Sequence, residues 1–221
     1  MTVRLPQYRL GEELCNAISH GVGAIAAIVG TAWLLGKATD GWQKGAAIVY
    51  GVALTLLFLM SCLYHALTAP KAKYIFRIFD HSAVALLIAG TYTPYTLVAL
   101  RGTVGWILFA VVWSCTALTI LLSVIDMDRF KVPCLIGNLA SGWCIIGAIV
   151  PLLSVLPTGG VWLLVAGGVA YTVGILFYRL KTVPYTISEP NSQRFFERNR
   201  RDTASDCSSY ASMRSQSSLS R

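Results

Sequence analysis

Charge is scarce in this sequence of 221 residues. Only 13% of its residues are Asp, Glu, Lys or Arg, whereas 55% are hydrophobic. An ordinary soluble domain carries roughly a quarter of its residues as charges. Apolar runs of roughly 20 residues recur along the chain instead, which is the length needed to cross a bilayer core ~30 Å thick. The composition therefore excludes a soluble globular domain and predicts an all-α, polytopic bundle of transmembrane helices.

The sequence also lacks the patterns of two other common classes. Its six cysteines form no CxxC pair and have no regular spacing, so neither a zinc–thiolate site nor a disulfide framework is expected. The net charge of +8 comes from short connections and the C-terminal segment, without a basic stripe interleaved with aromatic residues. Nucleic acid is therefore not an expected partner, and the excess of Lys and Arg reports membrane orientation instead.

Six spans are expected within one transmembrane domain over residues 15–178. They cover approximately residues 15–35, 45–67, 78–100, 104–125, 134–156 and 159–178. If the N-terminus is inside, the inner segments hold nine Lys or Arg residues and the outer segments hold three. The positive-inside rule therefore predicts a multi-pass protein of the cell membrane with residues 1–14 and the C-terminal tail in the cytoplasm.

The composition changes abruptly after Pro184. Residues 186–221 contain ten serines and six arginines but no Gly, Val, Lys, Trp or His. Such a segment cannot bury enough apolar area to fold alone. Residues 179–221 are therefore predicted to form a disordered cytoplasmic tail.

Ionisable residues converge at the inner ends of the first three predicted spans. His20 lies about one turn into the first span, and His65 lies near the inner end of the second. Asp80 and His81 begin the third span, and Ser61 shares a helix face with His65 because it lies four residues earlier. Ionisable groups within a membrane indicate a functional site. The alternative is that they cap helix ends at the headgroup level, where the helix dipole favours a carboxylate in the first turn.

Simpler structural roles are expected for other polar residues. Asp126 and Asp128 are expected to be solvated charges in a cytoplasmic loop. Asn138 is expected to form an interhelical hydrogen bond. Tyr92 precedes a kink at Pro94 and is expected to pack in the core, although it could line a cavity instead.

Four stretches resemble the hemolysin III family, which is related to the progestin and adiponectin receptors and, more distantly, to the alkaline ceramidases. These stretches are EELCNAISHGVGA (12–24), SCLYHAL (61–67), FRIFDHSAVALLIAGTYTPYTLVAL (76–100) and GGVAYTVGILFYRLKTVPY (167–185). The resemblance covers about residues 9–185. It implies a seven-helix bundle with a zinc ion near the cytoplasmic face, and an involvement in cytolysis or membrane-lipid homeostasis.

The same resemblance implies roles for individual residues. His65 would be a zinc ligand, Asp80 would orient the zinc-bound water, and Ser61 would support the site. Asn16 and His20 match the family's first motif in a supporting role. A water on such a zinc would be a nucleophile for the hydrolysis of a lipid amide or ester. Membrane lipids are then the expected partners, and the formation of a homo-oligomer is left open.

The C-terminal part of the sequence departs from the family pattern. In the family, a seventh helix with an HxxxH pair supplies two further zinc ligands, but this sequence has no histidine after His81. Catalytic zinc normally takes three protein ligands and a water. Either the reading frame was lost near residue 186, or a natural tail replaces the seventh helix. Three functions therefore stay open: zinc-dependent hydrolysis, a non-enzymatic membrane-perturbing or receptor-like role, and a truncated inactive product.

Overall fold

The computed structural model describes residues 8–179, with side chains as far as Leu176. This part of the chain is helical and contains no strand. The six α-helices are α1 (Leu10–Lys37), α2 (Gly41–Ala66), α3 (Pro70–Pro94), α4 (Thr103–Trp143), α5 (Ile149–Val155) and α6 (Thr158–Arg179). A π-helical turn (Tyr95–Ala99) follows α3, and a 3-10 helix (Cys144–Ala148) joins α4 to α5. Apart from Arg179, the predicted tail lies outside the described residues.

Five helical stretches in the described part are long and apolar enough to cross a membrane. They are Leu10–Lys37, Gly41–Ala66, Pro70–Ala99, Thr103–Val155 and Thr158–Leu176. The predicted all-α polytopic bundle is thus confirmed at this level, but the count of six spans is not. The fourth predicted span and all but the last residue of the fifth fall within the 53 residues of Thr103–Val155.

The outer surface of α1 is apolar along its length. Large side chains that are more than half exposed recur at intervals of three or four residues: Leu14, Ile18, Val22, Ile25 and Val29. The buried residues of the same helix are small, Ala24 and Ala27. A helix with large apolar side chains outside and small ones at its contacts is typical of a bundle that is surrounded by lipid.

Helix α2 packs against α1 on one side and against α3 on the other. Small residues allow the close approach of these helices. A Cβ atom placed on Gly90 of α3 would lie 2.7 Å from the Cβ atom of Ala53 on α2. A Cβ atom on Gly51 would collide with Thr31 of α1 in the same way.

Helix α4 reverses direction at Asp126, whose backbone is not helical (φ −160°, ψ 95°). The Cys134 thiol lies 3.7 Å from the Thr119 carbonyl oxygen, although the two residues are 15 positions apart. In a straight helix that separation would be ~22 Å. Asp126 thus divides α4 into two helical limbs, one before it and one after it. Its carboxylate accepts a hydrogen bond from the Arg129 backbone N–H (3.0 Å), so it caps the second limb. The predicted loop between spans four and five is therefore wrong, because the helix resumes directly after one capping residue.

Tyr92 packs in the core, as expected. Its hydroxyl donates to the Gly142 carbonyl oxygen (2.8 Å) and accepts from the Ile145 backbone N–H (2.9 Å). These two backbone groups flank the change from α4 to the 3-10 helix. The hydroxyl therefore replaces backbone hydrogen bonds where regular helix is interrupted.

The connection between α1 and α2 meets the connection before α4 at the end of the bundle opposite His65. Asp40 caps α2 by accepting from the Gln43 backbone N–H (2.8 Å), and its second oxygen binds Arg101 (2.7 Å). The Trp42 and Trp106 rings contact edge to face, with centroids 6.3 Å apart. The Gln43 N–H and then the Arg101 guanidinium lower the pKa of the Asp40 carboxyl below its ordinary value of 3.8.

Replacing Tyr92 with Phe should lower the free energy of unfolding by about 1–3 kcal/mol, because the buried Ile145 N–H and the partly buried Gly142 carbonyl lose their partner. The measurement is denaturant unfolding of the purified protein in detergent. Tyr74→Phe is the control, since Tyr74 lies on the same helix and its hydroxyl makes no hydrogen bond within residues 8–179. Equal losses for the two variants would contradict the assignment.

Acid should remove the contribution of Asp40 to stability. Because its pKa is lower in the folded chain than in the unfolded chain, this contribution is fully present above about pH 4 and is lost as the pH falls through the folded value. The Tm of wild type should exceed that of Asp40→Asn by a constant margin from neutral pH down to about pH 5, and the margin should shrink below about pH 4. A margin that persists unchanged in strong acid would refute this account.

Candidate functional site

Glu13 joins three helices at one end of the bundle. From α1, its Oε2 lies 2.7 Å from Nδ1 of His65 on α2, and its Oε1 lies 2.5 Å from Nζ of Lys73 on α3. The side chains are 15%, 2% and 12% exposed, respectively. A buried charge is tolerated when it is paired and hydrogen bonded. Both oxygens of the carboxylate are used here, each by a different helix.

Aromatic rings enclose His65. The His20 ring stacks parallel to it at 6.2 Å, the Tyr64 ring lies at 4.7 Å, and the Tyr8 ring meets it edge-on at 5.6 Å. Lys73 also lies over the face of Tyr64, 5.3 Å from the ring centroid. We call Glu13, His20, Tyr64, His65 and Lys73 the Glu13 cluster.

The supporting residues of the expected site lie beside this cluster. Ser61 is buried one turn before His65 on α2. Asn16 is half-buried on α1, between Glu13 and His20 in sequence. Within the described residues, neither side chain forms a hydrogen bond; the Asn16 backbone carbonyl accepts one from Ser19.

Asp80 faces a different feature, a cavity of about 350 Å³ between α3, both limbs of α4, and α6. Its polar wall includes Arg77, Asp80, His81, Lys131, Asn138 and Tyr171. Asn138 was expected to form an interhelical hydrogen bond, and this is wrong. Its side chain lines the cavity, and no hydrogen bond of the Asn138 amide is found in residues 8–179.

Arg77 anchors the wall of this cavity. Its side chain is only 2% exposed, and Nη2 donates to Asp128 on α4 at 3.3 Å. The His81 Nδ1–H donates to the Arg77 carbonyl oxygen at 3.0 Å. The predicted spans left Arg77 in a loop, and Asp128 was expected to be only a solvated charge. In the structure Asp128 is exposed, but it pairs with Arg77. The reason is that α3 begins at Pro70, a favourable first helical residue, so Arg77 lies on the second turn of the helix.

The residues of the expected site lie in two neighbouring features. His65 belongs to the Glu13 cluster, whereas Asp80 lies on the cavity wall, 3.9 Å from Nδ1 of His81. His20 lies within electrostatic range of both Asp80 and His65. His81 lines the cavity with Asp80 and does not join His65.

The donors present do not fit the zinc site that the family resemblance implied. Over residues 8–179, no group of three or more His, Cys, Asp or Glu side chains is arranged to hold a metal ion. His65 has one feature of a zinc ligand, because a carboxylate binds its Nδ1. Catalytic zinc needs three protein ligands. We therefore derive no chemical step through zinc for this chain.

The sequence reasoning missed Glu13 and Lys73. A signal for Glu13 was present, because Glu13, Asn16 and His20 are spaced by three and four residues and thus share one helix face. A carboxylate on the same face as two predicted site residues belongs to that site. Lys73 had no comparable signal, because it was assigned to a loop.

The sequence of this chain is similar to those of several known proteins. A family model described as "Haemolysin-III related" matches residues 8–196. "Hemolysin-3" of Bacillus cereus is 40% identical over 185 residues, which cover 82% of this chain and 84% of that protein. "Hemolysin-3 homolog" of Bacillus subtilis (strain 168) is 38% identical over 80% of this chain and 85% of that protein.

A more distant relative is the human "Monocyte to macrophage differentiation factor". It is 25% identical over 173 residues, covering 76% of this chain and 71% of the human protein. No solved structure matches the chain.

Proposed function

The chain belongs to the hemolysin III family of multi-pass membrane proteins, and from this premise we propose that it acts on the lipid bilayer as a membrane-perturbing protein of the cell membrane. The observation that carries the proposal is the 40% identity to a protein named Hemolysin-3, over 84% of that protein. The apolar exterior of α1 supports the proposal, because it provides direct contact with lipid.

We further propose six spans with both ends of the chain in the cytoplasm. The stretch Thr103–Val155 would be ~80 Å long if straight, more than twice the thickness of a bilayer core. The contact between Thr119 and Cys134 supports two antiparallel spans with the reversal at Asp126. Exposed charges at the reversal, Asp126, Asp128 and Arg129, suit a position at the membrane surface.

Membrane lipids are the proposed partners of the cavity. Its wall combines two cations, Arg77 and Lys131, with the carboxylate of Asp80 and with apolar groups such as Val84 and Ile175. Pockets that bind small molecules are mostly apolar and have a few polar groups that fix orientation. A wall of this composition suits the polar head of a lipid and the first part of its acyl chain.

Liposomes provide the test of membrane perturbation. Vesicles of phosphatidylethanolamine and phosphatidylglycerol that contain the protein should release a trapped dye in proportion to protein loading, and a chelator should not change the release. Gly174→Leu should reduce it, because Gly174 lines the cavity and has space beside it. Gly167→Leu on the same helix is the control, since Gly167 also has open space but is not part of that wall. Vesicles that stay intact at high protein loading would contradict the proposal.

Lipid hydrolysis at the Glu13 cluster is a second candidate, favoured by the hydrogen bond between Glu13 and His65. A histidine whose Nδ1 is bound by a carboxylate is oriented for use of its other nitrogen. In this candidate, His65 acts as a general base at Nε2 and accepts a proton from the attacking hydroxyl or water.

The second candidate predicts release of fatty acid from reconstituted phospholipid vesicles in the presence of a chelator. His65→Ala should abolish the release, and His81→Ala should not, because His81 lies on the cavity wall instead. Since the described donors do not form a set of three, zinc in the purified protein should be well below one per chain. Near-stoichiometric zinc that is lost on His65→Ala would overturn this expectation.

A further inference from the structure

We propose that Glu13 is a positioning residue for His65, which it holds in one tautomer so that Nε2 carries the available lone pair. The proposal rests on the second candidate function above. It concerns a residue to which the family resemblance gave no role, and it follows from the hydrogen bond of 2.7 Å between Glu13 Oε2 and His65 Nδ1.

The chemistry of the two groups determines the tautomer. A carboxylate oxygen can only accept a hydrogen bond, so the hydrogen of this bond belongs to Nδ1 of His65. A neutral imidazole has one donor nitrogen and one acceptor nitrogen. Nε2 is then the acceptor, the atom that a general base or a metal ligand must present.

Lys73 is the second partner of the Glu13 carboxylate. Its ammonium group binds Oε1 of Glu13 and leaves Oε2 directed at His65. Both side chains of this ion pair are largely buried, so solvent screens the pair less than it would on the surface. The carboxylate therefore contacts α2 and α3 at the same time, and its rotation would break two bonds.

The surroundings restrict the imidazole ring as well. The parallel His20 ring and the neighbouring Tyr64 ring lie beside His65, and its side chain is only 2% exposed. Side chains in such packed surroundings keep one rotamer. Glu13 thus determines which nitrogen carries the hydrogen, while the aromatic neighbours determine where the ring lies.

A purely structural link between the helices makes a different prediction. In that case, Glu13→Ala and Lys73→Met should both lower Tm, and neither should change the histidine tautomer. For a positioning residue, Glu13→Ala should change the tautomer of His65, whereas Lys73→Met should keep Nδ1 protonated. Glu13→Gln should also retain the tautomer, because its amide oxygen can accept from Nδ1–H.

The experiment is 15N NMR of the full-length protein with labelled histidine, in lipid nanodiscs at about pH 8, where an ordinary imidazole is neutral. The His65 signal is assigned by its loss in His65→Ala. Wild type should show the Nδ1–H tautomer, and Glu13→Ala should shift His65 toward Nε2–H. Glu12→Ala is the matched control, because Glu12 is the adjacent carboxylate and binds the Arg9 backbone N–H at 3.1 Å instead.

An Nε2–H tautomer in wild type would overturn the proposal without any variant, so the test does not depend on the folding of Glu13→Ala. An unchanged tautomer in folded Glu13→Ala would overturn it too, as would an equal change in Lys73→Met. If vesicles release fatty acid, Glu13→Ala should lower the rate about 10- to 100-fold and Glu13→Gln should restore part of it. If wild type shows the Nδ1–H tautomer but releases no fatty acid, the second candidate function is rejected and the positioning role of Glu13 is retained.

Discussion

A bilayer core offers no hydrogen-bond partners to a polypeptide backbone, and the described part of this chain is organised around that constraint. Its regular segments are helices, which satisfy their own N–H and C=O groups. At two interruptions of the helices, a side chain provides the missing backbone hydrogen bonds. The Tyr92 hydroxyl does so beside the 3-10 helix, and the Asp126 carboxylate does so where α4 reverses.

The same constraint governs the few charges. Removing a charge from water is costly unless a partner and hydrogen bonds accompany it. Glu13 meets this requirement with His65 and Lys73, and buried Arg77 meets it with Asp128. These pairs join residues that are more than 50 positions apart in sequence, so the bonds that make each charge tolerable also determine how the helices meet. A functional histidine and a structural contact are in this way parts of one arrangement.

Local patterns predicted much of this arrangement. Hydrophobic runs predicted the helical membrane fold, Pro94 predicted an interruption after α3, and Tyr92 was correctly placed in the core. The convergence of His20 and His65 was also predicted, and their rings stack. The prediction for the Asp126 region was wrong because a cluster of charges was interpreted as a loop. One capping residue is enough for the helix to reverse and resume. Asp80 and His81 both line the cavity, and this could be assigned only once the helices that face α3 were known.

The sequence by itself determined the class of the protein and its family. These properties depend on composition, run length and local spacing, which are present in the chain before it folds. Only the tertiary structure decided that Glu13 is the carboxylate partner of His65. The physical reason is that a hydrogen bond requires approach to about 3 Å, and side chains 52 positions apart reach that distance only through the packing of α1 against α2.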